Sequence, residues 1–442
     1  MNLFLALSCT YEPPGGGRQA VCSPSAAFDG DLGRRMGLSS HLEWGEASEA
    51  RDFELAGWED LGVGVVRRDL TWSVLEPARG QWDFAPADRA VEAMESAGVE
   101  PLGLLDYGNS WASEDGEGMG PPDDLADFGA YATAVAQRYE GRIHSYEVWN
   151  EPNAGLAFWK PEEDPAAYGA LLVVAADAIH AVDPEAEVIF AGVFHPDLGL
   201  NTPGEEFIAA VHEAVPDFAE HIDAMAFHPY RYPFTAPEDD EFQRTLEQEL
   251  CDLRDLNAEV GAGEMPLHIT ELGWHTAIDA LTRGATQEQQ ASYLVRSSVI
   301  AFAHGVESFH WYTFRDSGDD DANQEHAFGL YGWDEDPTTA PEPEAKAAAV
   351  AYTVLVRMLG GHDTVVDLAE LLGTEAHVYE LSGGAGRTLV FWDPSGETEV
   401  LVPGRGTASL ISMLGEESEL RARGGAFTVQ AGNSPSYLEL PE

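Results

Sequence analysis

From residue 35 onward, apolar runs of strand length alternate with stretches of helical pattern, and this alternation limits the fold more than any other feature of the chain. Strands separated by helices predict parallel β/α units. Eight strands can be counted: Met36–Trp44, Gly62–Asp69, Glu100–Tyr107, Ile143–Asn150, Val188–His195, Ile222–Tyr230, Leu267–Gly273 and Val306–Phe314. Helical stretches between or after them include Leu125–Tyr139, Ala166–Val182, Phe242–Leu256, Gln287–His304 and Glu344–Leu359. Eight such units close a barrel, so we predict an α/β fold with a (β/α)8 TIM barrel over residues 35–360.

An open, doubly wound sheet is the alternative for alternating strands and helices. Such sheets often carry a glycine-rich phosphate-binding signature, of which Gly62-Val63-Gly64 is only a weak echo. The barrel is therefore preferred.

The pattern changes after about residue 360 to short alternating strands separated by turns. These strands are Thr364–Leu368, Ala376–Leu381, Thr388–Trp392, Glu399–Val402, Ser409–Ser412, Phe427–Gln430 and Tyr437–Leu440. They predict a small C-terminal β-sandwich over residues 361–442. Residues 1–34, which include the run Pro13-Pro14-Gly15-Gly16-Gly17, are predicted to be a leader without regular structure.

The formal net charge is −55, from 78 acidic and 23 basic residues, and only Lys160 and Lys346 are lysines. Such a surface repels itself until salt shortens the Debye length to about 3 Å, near 1 M. This composition resembles that of proteins from salt-accumulating halophiles. The acidic residues are spread among aromatic and apolar runs, which argues against a disordered acidic tail. Nucleic acid and anionic membranes are disfavoured as partners, because no basic patch is present to neutralise phosphates.

Cys9, Cys22 and Cys251 have neither metal-ligand spacing nor an even-numbered framework, so we expect no stability from disulfides, although a Cys9–Cys22 bridge stays open. The apolar stretch from Asn2 to Cys9 is too short to span a membrane and lacks the basic start of a secretory signal. A mis-called start codon would give the same sequence, so secretion stays open while the cytoplasm is favoured. The oligomeric state is not set by the sequence.

Two glutamates lie where barrel strands meet their loops. Glu151, in Trp149-Asn150-Glu151-Pro152-Asn153, follows the fourth strand, and Glu271, in Ile269-Thr270-Glu271-Leu272-Gly273, lies on the seventh. Either alone would be an ordinary solvated or paired carboxylate. Cleavage of a glycosidic bond needs two carboxyl groups, one as acid and one facing the oxocarbenium-like carbon. The pair resembles that of retaining glycoside hydrolases of clan A, whose barrels carry an Asn-Glu pair after strand four and a second Glu at the end of strand seven.

The second strand and its loop narrow this resemblance. The segment Val66-Arg67-Arg68-Asp69-Leu70-Thr71-Trp72, followed by Glu76-Pro77, is similar to the strand-two block of glycoside hydrolase family 39 and of its relatives in families 5 and 42. Family 39, which includes β-xylosidases and exopolysaccharide-cleaving endo-hydrolases, is the closest likeness, with family 5 as the alternative. The resemblance implies that Arg67 holds Glu271 as an anion. A structural salt bridge between Arg67 and Asp69 is the competing interpretation.

Further residues are assigned by the same resemblance. The segment Phe227-His228-Pro229-Tyr230 looks like the family's His-Pro-Tyr segment, which makes His228 and Tyr230 binding residues and Tyr230 the better hydrogen-bond partner for Glu271. Asn150 would contact the substrate 2-hydroxyl. Trp311, in Phe309-His310-Trp311-Tyr312, is expected to be the sugar platform. Weaker lining candidates, any of which could be plain core, are His41, Trp44, Asn109 and Trp111.

The resemblance implies a double displacement on a β-linked oligo- or polysaccharide, with Glu271 as nucleophile and Glu151 as acid and then base. It implies no cofactor and no metal. The acidic loop Asp316–Asp321 lacks spaced calcium ligands and is interpreted as a solvated face. A barrel that binds polysaccharide without cutting it is the alternative function. The sugar, the linkage and the choice between internal and terminal cleavage are not encoded in any recognisable motif.

Overall fold

The computed structural model describes residues 24–40, 48–113, 116, 118–155, 157–196, 199, 201–278, 284–320, 322–333 and 343–441. Cys9, Cys22, His41 and Trp44 lie outside these residues. A short strand, β1 (Ser25–Ala27), and a 3-10 helix (Leu32–Arg35) precede the barrel. Part of the predicted leader, from Ser25 onward, therefore has regular structure. Its strand β1 pairs with the C-terminal region, as described below.

Eight parallel strands close the predicted barrel in chain order. They are β2 (Met36–Ser40), β3 (Val65–Asp69), β4 (Glu100–Leu105), β5 (Ser145–Val148), β6 (Glu187–Phe194), β7 (Ala224–His228), β8 (Leu267–Leu272) and β9 (Val306–Tyr312). Every residue of β2, β7 and β8 is buried. Strands buried on both faces are typical of parallel sheets covered by helices.

The helices of the described chain are α1 (Ser48–Leu61), α2 (Trp72–Leu75), α3 (Ala85–Ser96), α4 (Leu125–Tyr139), α5 (Pro165–His180), α6 (Gly204–Ala214), α7 (Leu246–Glu259), α8 (Gln287–Ala303), α9 (Ala347–Leu359) and α10 (Ala369–Leu372). Helix α7 begins four residues later than predicted. Thr245 caps it with a capping box, in which its hydroxyl accepts from the backbone N–H of Gln248 and the Gln248 side chain accepts from the backbone N–H of Thr245. None of the described helices has the length and apolar character needed to cross a membrane.

The predicted C-terminal β domain is present as antiparallel strands β10 (His362–Asp367), β11 (His377–Gly383), β12 (Gly386–Trp392), β13 (Thr398–Pro403), β14 (Thr407–Ser412), β15 (Glu417–Arg421), β16 (Ala426–Ala431) and β17 (Ser436–Glu439). A seven-stranded sheet has the order β1-β10-β11-β12-β17-β14-β15, and β13 pairs with β16 alone. One face of the large sheet joins the barrel core through residues such as Tyr379 and Trp392, and the other packs on β13 and β16.

Two large aromatic residues of the C-terminal domain take part in this packing. Tyr379 and Trp392 are 1% and 0% exposed and stack on one another against the barrel. They therefore contribute to the interface between the two domains.

Cys251 on α7 is disulfide-bonded, although the number and spacing of the cysteines predicted no disulfide framework. Cysteine counting failed here because it was restricted to local spacing, whereas pairing depends on which residues the fold brings together.

Candidate active site

The carboxyl ends of the parallel barrel strands lie at one end of the barrel, and the two glutamates meet there. Glu151 follows β5, Glu271 lies on β8, and each is 7% exposed. One carboxylate oxygen of Glu151, one of Glu271 and one ring nitrogen of His228 all lie within 4.8 Å of one another. The structure thus brings together three residues that are widely separated in sequence.

Arg67 on β3 occupies the base of this site and is 1% exposed. Its Nη1 donates to Glu271 at 2.6 Å, and its Nη2 donates to Asn150 at 2.8 Å. Its Nε and Nη2 donate to the two carboxylate oxygens of Glu147 at 2.7 and 3.0 Å. Burial lowers the pKa of Arg67, but the charges of Glu147 and Glu271 outweigh burial and raise it above the ordinary value. Arg67 is therefore a permanent cation between two carboxylates.

Glu147 on β5 was missed by the sequence reasoning. It is fully buried, forms the bidentate pair with Arg67 and accepts from the backbone N–H of Gly192 at 2.7 Å. The sequence signal for it was an ionisable residue inside a buried strand, one position before the strand's end. Because a buried charge needs a partner, that position could have been matched with Arg67.

Glu271 is held from two sides by hydrogen-bond donors. Arg67 donates to its Oε1, and the hydroxyl of Tyr230 donates to its Oε2 at 3.0 Å, the hydrogen bond expected from the His-Pro-Tyr segment. Burial, and then the charge of Glu271, raise the pKa of Tyr230 well above its usual range, so Tyr230 remains a donor. The bond from Arg67 is charge-assisted, and together the two bonds fix the orientation of the carboxylate.

Glu151 has the opposite environment. Burial, and then the charge of Glu271, raise the pKa of Glu151 well above its usual range. Its Oε1 lies 2.8 Å from Nδ1 of His228, whose own pKa is lowered well below the ordinary value by burial and then by Arg67. Burial thus contributes more to keeping Glu151 protonated than the neighbouring negative charge that the sequence reasoning invoked.

The backbone around Glu151 adopts an uncommon conformation. Trp149 and Glu151 have φ values of 74° and 44°, in the left-handed region that non-glycine residues rarely occupy. The surrounding bonds fix it: the Trp149 N–H donates to the Leu105 carbonyl at 3.0 Å, and the Glu151 N–H donates to the Gly192 carbonyl at 3.1 Å. The turn aims Glu151 toward β8.

Asn150 accepts from Arg67 through its Oδ1. Because arginine can only donate, the amide oxygen must face Arg67, and the amide nitrogen is directed elsewhere. Asn150 is 5% exposed and adjoins Glu151, which is compatible with a contact to a substrate hydroxyl.

Trp311 is not the sugar platform. It is fully buried and stacks on Trp274 at 5.9 Å between ring centroids, facing the helix layer. Side chains alternate along β9, so His310 and Tyr312 have the opposite orientation. Tyr312 is half-buried and lies near Tyr230 and Phe328, at centroid distances of 6.4 and 5.2 Å. Tyr312 is therefore the aromatic residue of β9 that borders the site, and it was missed because the sequence gave a choice of neighbouring aromatics.

Asn109 and Trp111 follow β4 and both hydrogen-bond to the backbone carbonyl of Glu76, each at 2.9 Å. The Glu76 side chain in turn accepts from Trp72 Nε1 at 2.8 Å and from the Gly80 N–H at 2.6 Å. These contacts join the loops after β3 and β4. They give Asn109 and Trp111 a structural role, and the lining role suggested by the sequence stays a prediction.

Glu151, His228 and Glu271 are as close together as metal ligands would be. The Glu151–His228 hydrogen bond and the Arg67 and Tyr230 bonds to Glu271 account for their positions, and we assign no metal to them. In the acidic loop, Asp316 pairs with Lys346 at 2.7 Å.

Comparison with solved structures finds barrels of the same architecture. The fold is similar to that of a family 39 glycoside hydrolase from the gut symbiont Bacteroides cellulosilyticus WH2, with 23% identity, a TM-score of 0.72, and coverage of 92% of this chain and 81% of that chain. A monomeric β-xylosidase from Caulobacter crescentus CB15 gives 16% identity, a TM-score of 0.61, and coverage of 95% and 98%. A family 30 subfamily 8 xylanase from Clostridium acetobutylicum gives 13% identity, a TM-score of 0.61, and coverage of 93% and 97%.

No protein-family model and no curated protein matches the sequence. The structural likeness therefore supports the fold described above, a TIM barrel with an antiparallel β domain. At these identities it does not assign an activity.

Proposed function

We propose that the protein is a retaining glycoside hydrolase, similar to those of family 39, that cleaves β-linked oligo- or polysaccharides by double displacement. The observation that carries this proposal is the pair Glu151 and Glu271, with carboxylate oxygens within 4.8 Å and contrasting electrostatic environments. A retaining pair is separated by about 5 to 5.5 Å, whereas an inverting pair is about 6.5 to 9.5 Å apart, to leave room for a water. One oxygen of Glu151 and one of Glu271 approach to within 4.8 Å, which is compatible with the retaining arrangement.

The two environments match the two roles. Glu271, bonded by Arg67 and Tyr230, is the carboxylate that attacks the anomeric carbon while the glycosidic C–O bond breaks. Glu151, whose pKa is raised by burial and then by Glu271, gives its proton to the departing oxygen. In the second step water attacks the glycosyl-enzyme, its proton passes to Glu151, and Glu271 is released as a carboxylate.

The substrate class rests on the structural neighbours, among which are a β-xylosidase and a xylanase. We therefore place β-xylosides and xylan first in a panel of aryl glycosides and polysaccharides, assayed in concentrated KCl because of the net charge of −55. Asn150, Tyr312 and Tyr230 are the residues that we assign to sugar binding, with Arg67 and His228 acting through the glutamates.

The test is release of reducing sugar, followed by proton NMR of the first-formed product anomer. We expect the anomer with the configuration of the substrate bond. An inverted first product would overturn the retaining mechanism. Binding of a polysaccharide without any release would instead support a non-catalytic barrel.

A further inference from the structure

Both ring nitrogens of His228 have a hydrogen-bond partner. Its Nδ1 lies 2.8 Å from Glu151 Oε1, and its Nε2 lies 3.0 Å from Oγ1 of Thr270. Thr270 Oγ1 lies 3.3 Å from Glu147 Oε1. Glu147, Thr270, His228 and Glu151 thus form a continuous series, here called the acid-positioning chain. His228 is fully buried, so no bulk water competes for its ring nitrogens.

The donor and acceptor roles along the acid-positioning chain follow from Glu147, its charged end. Glu147 forms the bidentate pair with Arg67 and can only accept, so the single proton of the Thr270 hydroxyl is drawn toward it. The Thr270 oxygen then accepts a hydrogen bond from Nε2–H of His228. A neutral imidazole with its proton on Nε2 has a lone pair on Nδ1, so Glu151 must supply the proton between Oε1 and Nδ1.

We propose that Thr270 is a positioning residue that, with Glu147, holds neutral His228 in the Nε2–H tautomer, so that His228 accepts a hydrogen bond from protonated Glu151. The inference rests on the proposed function for its catalytic meaning. It extends that function by assigning the acid proton to one oxygen, Oε1, and by identifying the residues that keep it there. Reversal of the tautomer would place a donor against Glu151 and favour its ionised form.

The close approach of β6 makes this arrangement possible. A Cβ atom at Gly192 would lie 2.0 Å from His228 Nε2 and 2.7 Å from Thr270 Oγ1, so any side chain there would displace the central pair of the chain. The Gly192 N–H donates to Glu147 at 2.7 Å, and its carbonyl accepts from the Glu151 N–H at 3.1 Å. The backbone of Gly192 therefore hydrogen-bonds to both terminal residues of the acid-positioning chain, Glu147 and Glu151.

Other charged groups act on the same two residues and stay unchanged in the test below. Those that shift Glu151 are Glu271 on β8, Arg67 on β3, Glu147 on β5 and Glu325 in the loop after β9. Those that shift His228 are Arg67 and His310 on β9, and Glu271 lies 4.0 Å from its Nδ1.

The first test reads the tautomer directly. Nitrogen-15 NMR of histidine-labelled wild-type protein distinguishes an Nε2–H from an Nδ1–H ring, with the His228 signals identified by their loss in His228→Gln. We expect the Nε2–H form at neutral pH. An Nδ1–H ring would overturn the inference, whatever the enzyme's activity.

The second test uses Thr270→Val, which removes the hydroxyl and keeps the β-branched shape, with Thr270→Ser as the matched control. In Thr270→Val the ring loses its Nε2 acceptor, and we expect the alkaline limb of the kcat/KM profile to move about one unit to lower pH. The loss of kcat/KM should be large for substrates with poor leaving groups and small for dinitrophenyl glycosides, which need no proton. Thr270→Ser should restore the wild-type profile.

Thr270 is followed in the sequence by the proposed nucleophile, Glu271, so the substitution could instead act by displacing Glu271. In that case rates would fall for all leaving groups alike, and the alkaline limb would stay in place. That result would overturn the inference while the proposed function stands. Wild-type protein that is inactive on every glycoside would instead count against the proposed function, and the NMR measurement would still decide the tautomer.

Discussion

At the scale of single residues, Glu151 and Glu271 differ because one has a histidine as its closest partner and the other has a cation and a phenol. Arg67 and Tyr230 both donate to Glu271, whereas Glu151 meets His228, a ring that burial keeps neutral. We therefore assign the two identical side chains separate proposed roles from their hydrogen-bond partners.

This separation predicts different phenotypes for two alanine variants. Glu271→Ala should abolish turnover and be rescued by azide, with inversion of configuration, because the small anion replaces the lost nucleophile. Glu151→Ala should lose roughly 10² to 10⁴-fold on unactivated glycosides but little on dinitrophenyl glycosides. Rates across a leaving-group series measure the difference, and a folded Glu151→Ala that is equally inactive on both kinds of substrate would contradict the assigned roles.

The sequence predicted the two glutamates, Arg67 and Tyr230 because their segments, which lie on or next to apolar strands, resemble the motifs of a known family. It failed where the choice depended on orientation. Trp311 and Tyr312 are adjacent aromatics, and only the pleat of β9 decides that Trp311 faces the helices while Tyr312 borders the site. Glu147 was overlooked because its partner, Arg67, lies 80 residues away.

At the scale of elements, the contact between barrel and sandwich includes a buried polar junction. Glu238, in the segment between β7 and α7, forms an ion pair with Arg296 of α8 and accepts from Trp392 Nε1 of β12 at 2.7 Å. Burial raises the pKa of Glu238, but the hydrogen bond and charge of Arg296 outweigh it and lower the pKa below the ordinary value. Arg296 is 2% exposed and needs this partner.

Glu238→Gln should therefore lower the free energy of unfolding by about 3 to 5 kcal/mol, the cost of leaving a buried charge unpaired. A folded-state pKa below the unfolded value of about 4.3 gives stability that is present above that pH and lost as the pH falls through the folded pKa. Urea unfolding from pH 7 to pH 3 should show a smaller acid loss in the variant. The control is Glu380→Gln, whose arginine partner is 59% exposed and which should cost at most about 1 kcal/mol. Equal effects of the two substitutions would contradict a special role for the junction.

Elements with a regular apolar pattern were predictable, and those held only by distant partners were not. Strand β15 has exposed or half-exposed residues throughout, so it lacks the alternation of apolar and polar residues that predicts a strand. Strand β1, Ser25-Ala26-Ala27, has too few apolar atoms to suggest a strand and exists because it pairs with β10. Backbone pairing with a remote strand leaves no signature in the local sequence.

At the scale of the whole molecule, the net charge of −55 is a collective property that no single ion pair offsets. Charges of one sign repel most strongly in the compact folded state, and salt shortens the range of that repulsion. The halophilic interpretation drawn from composition thus remains a prediction about solvent rather than about the fold.

We expect the midpoint of thermal unfolding and the activity to rise as KCl increases from tens of millimolar toward about 1 M. Over roughly that range the Debye length falls from above 10 Å to about 3 Å, so the gain should be concentrated there. Differential scanning calorimetry across the series provides the measurement. A midpoint that stays flat or falls would remove the halophilic interpretation, and a rise that begins only above 1 M would indicate salting-out instead of screening.

Strand β1 also places a constraint on the order of events during synthesis. It is the edge strand of a sheet whose next member, β10, begins only at His362, and the Phe28 N–H donates to the Asp363 carbonyl at 2.8 Å. The segment that leaves the ribosome before the barrel must therefore wait until the whole barrel has emerged before it finds its partner. A chain that began at residue 35 would present the unpaired edge of β10 to other molecules.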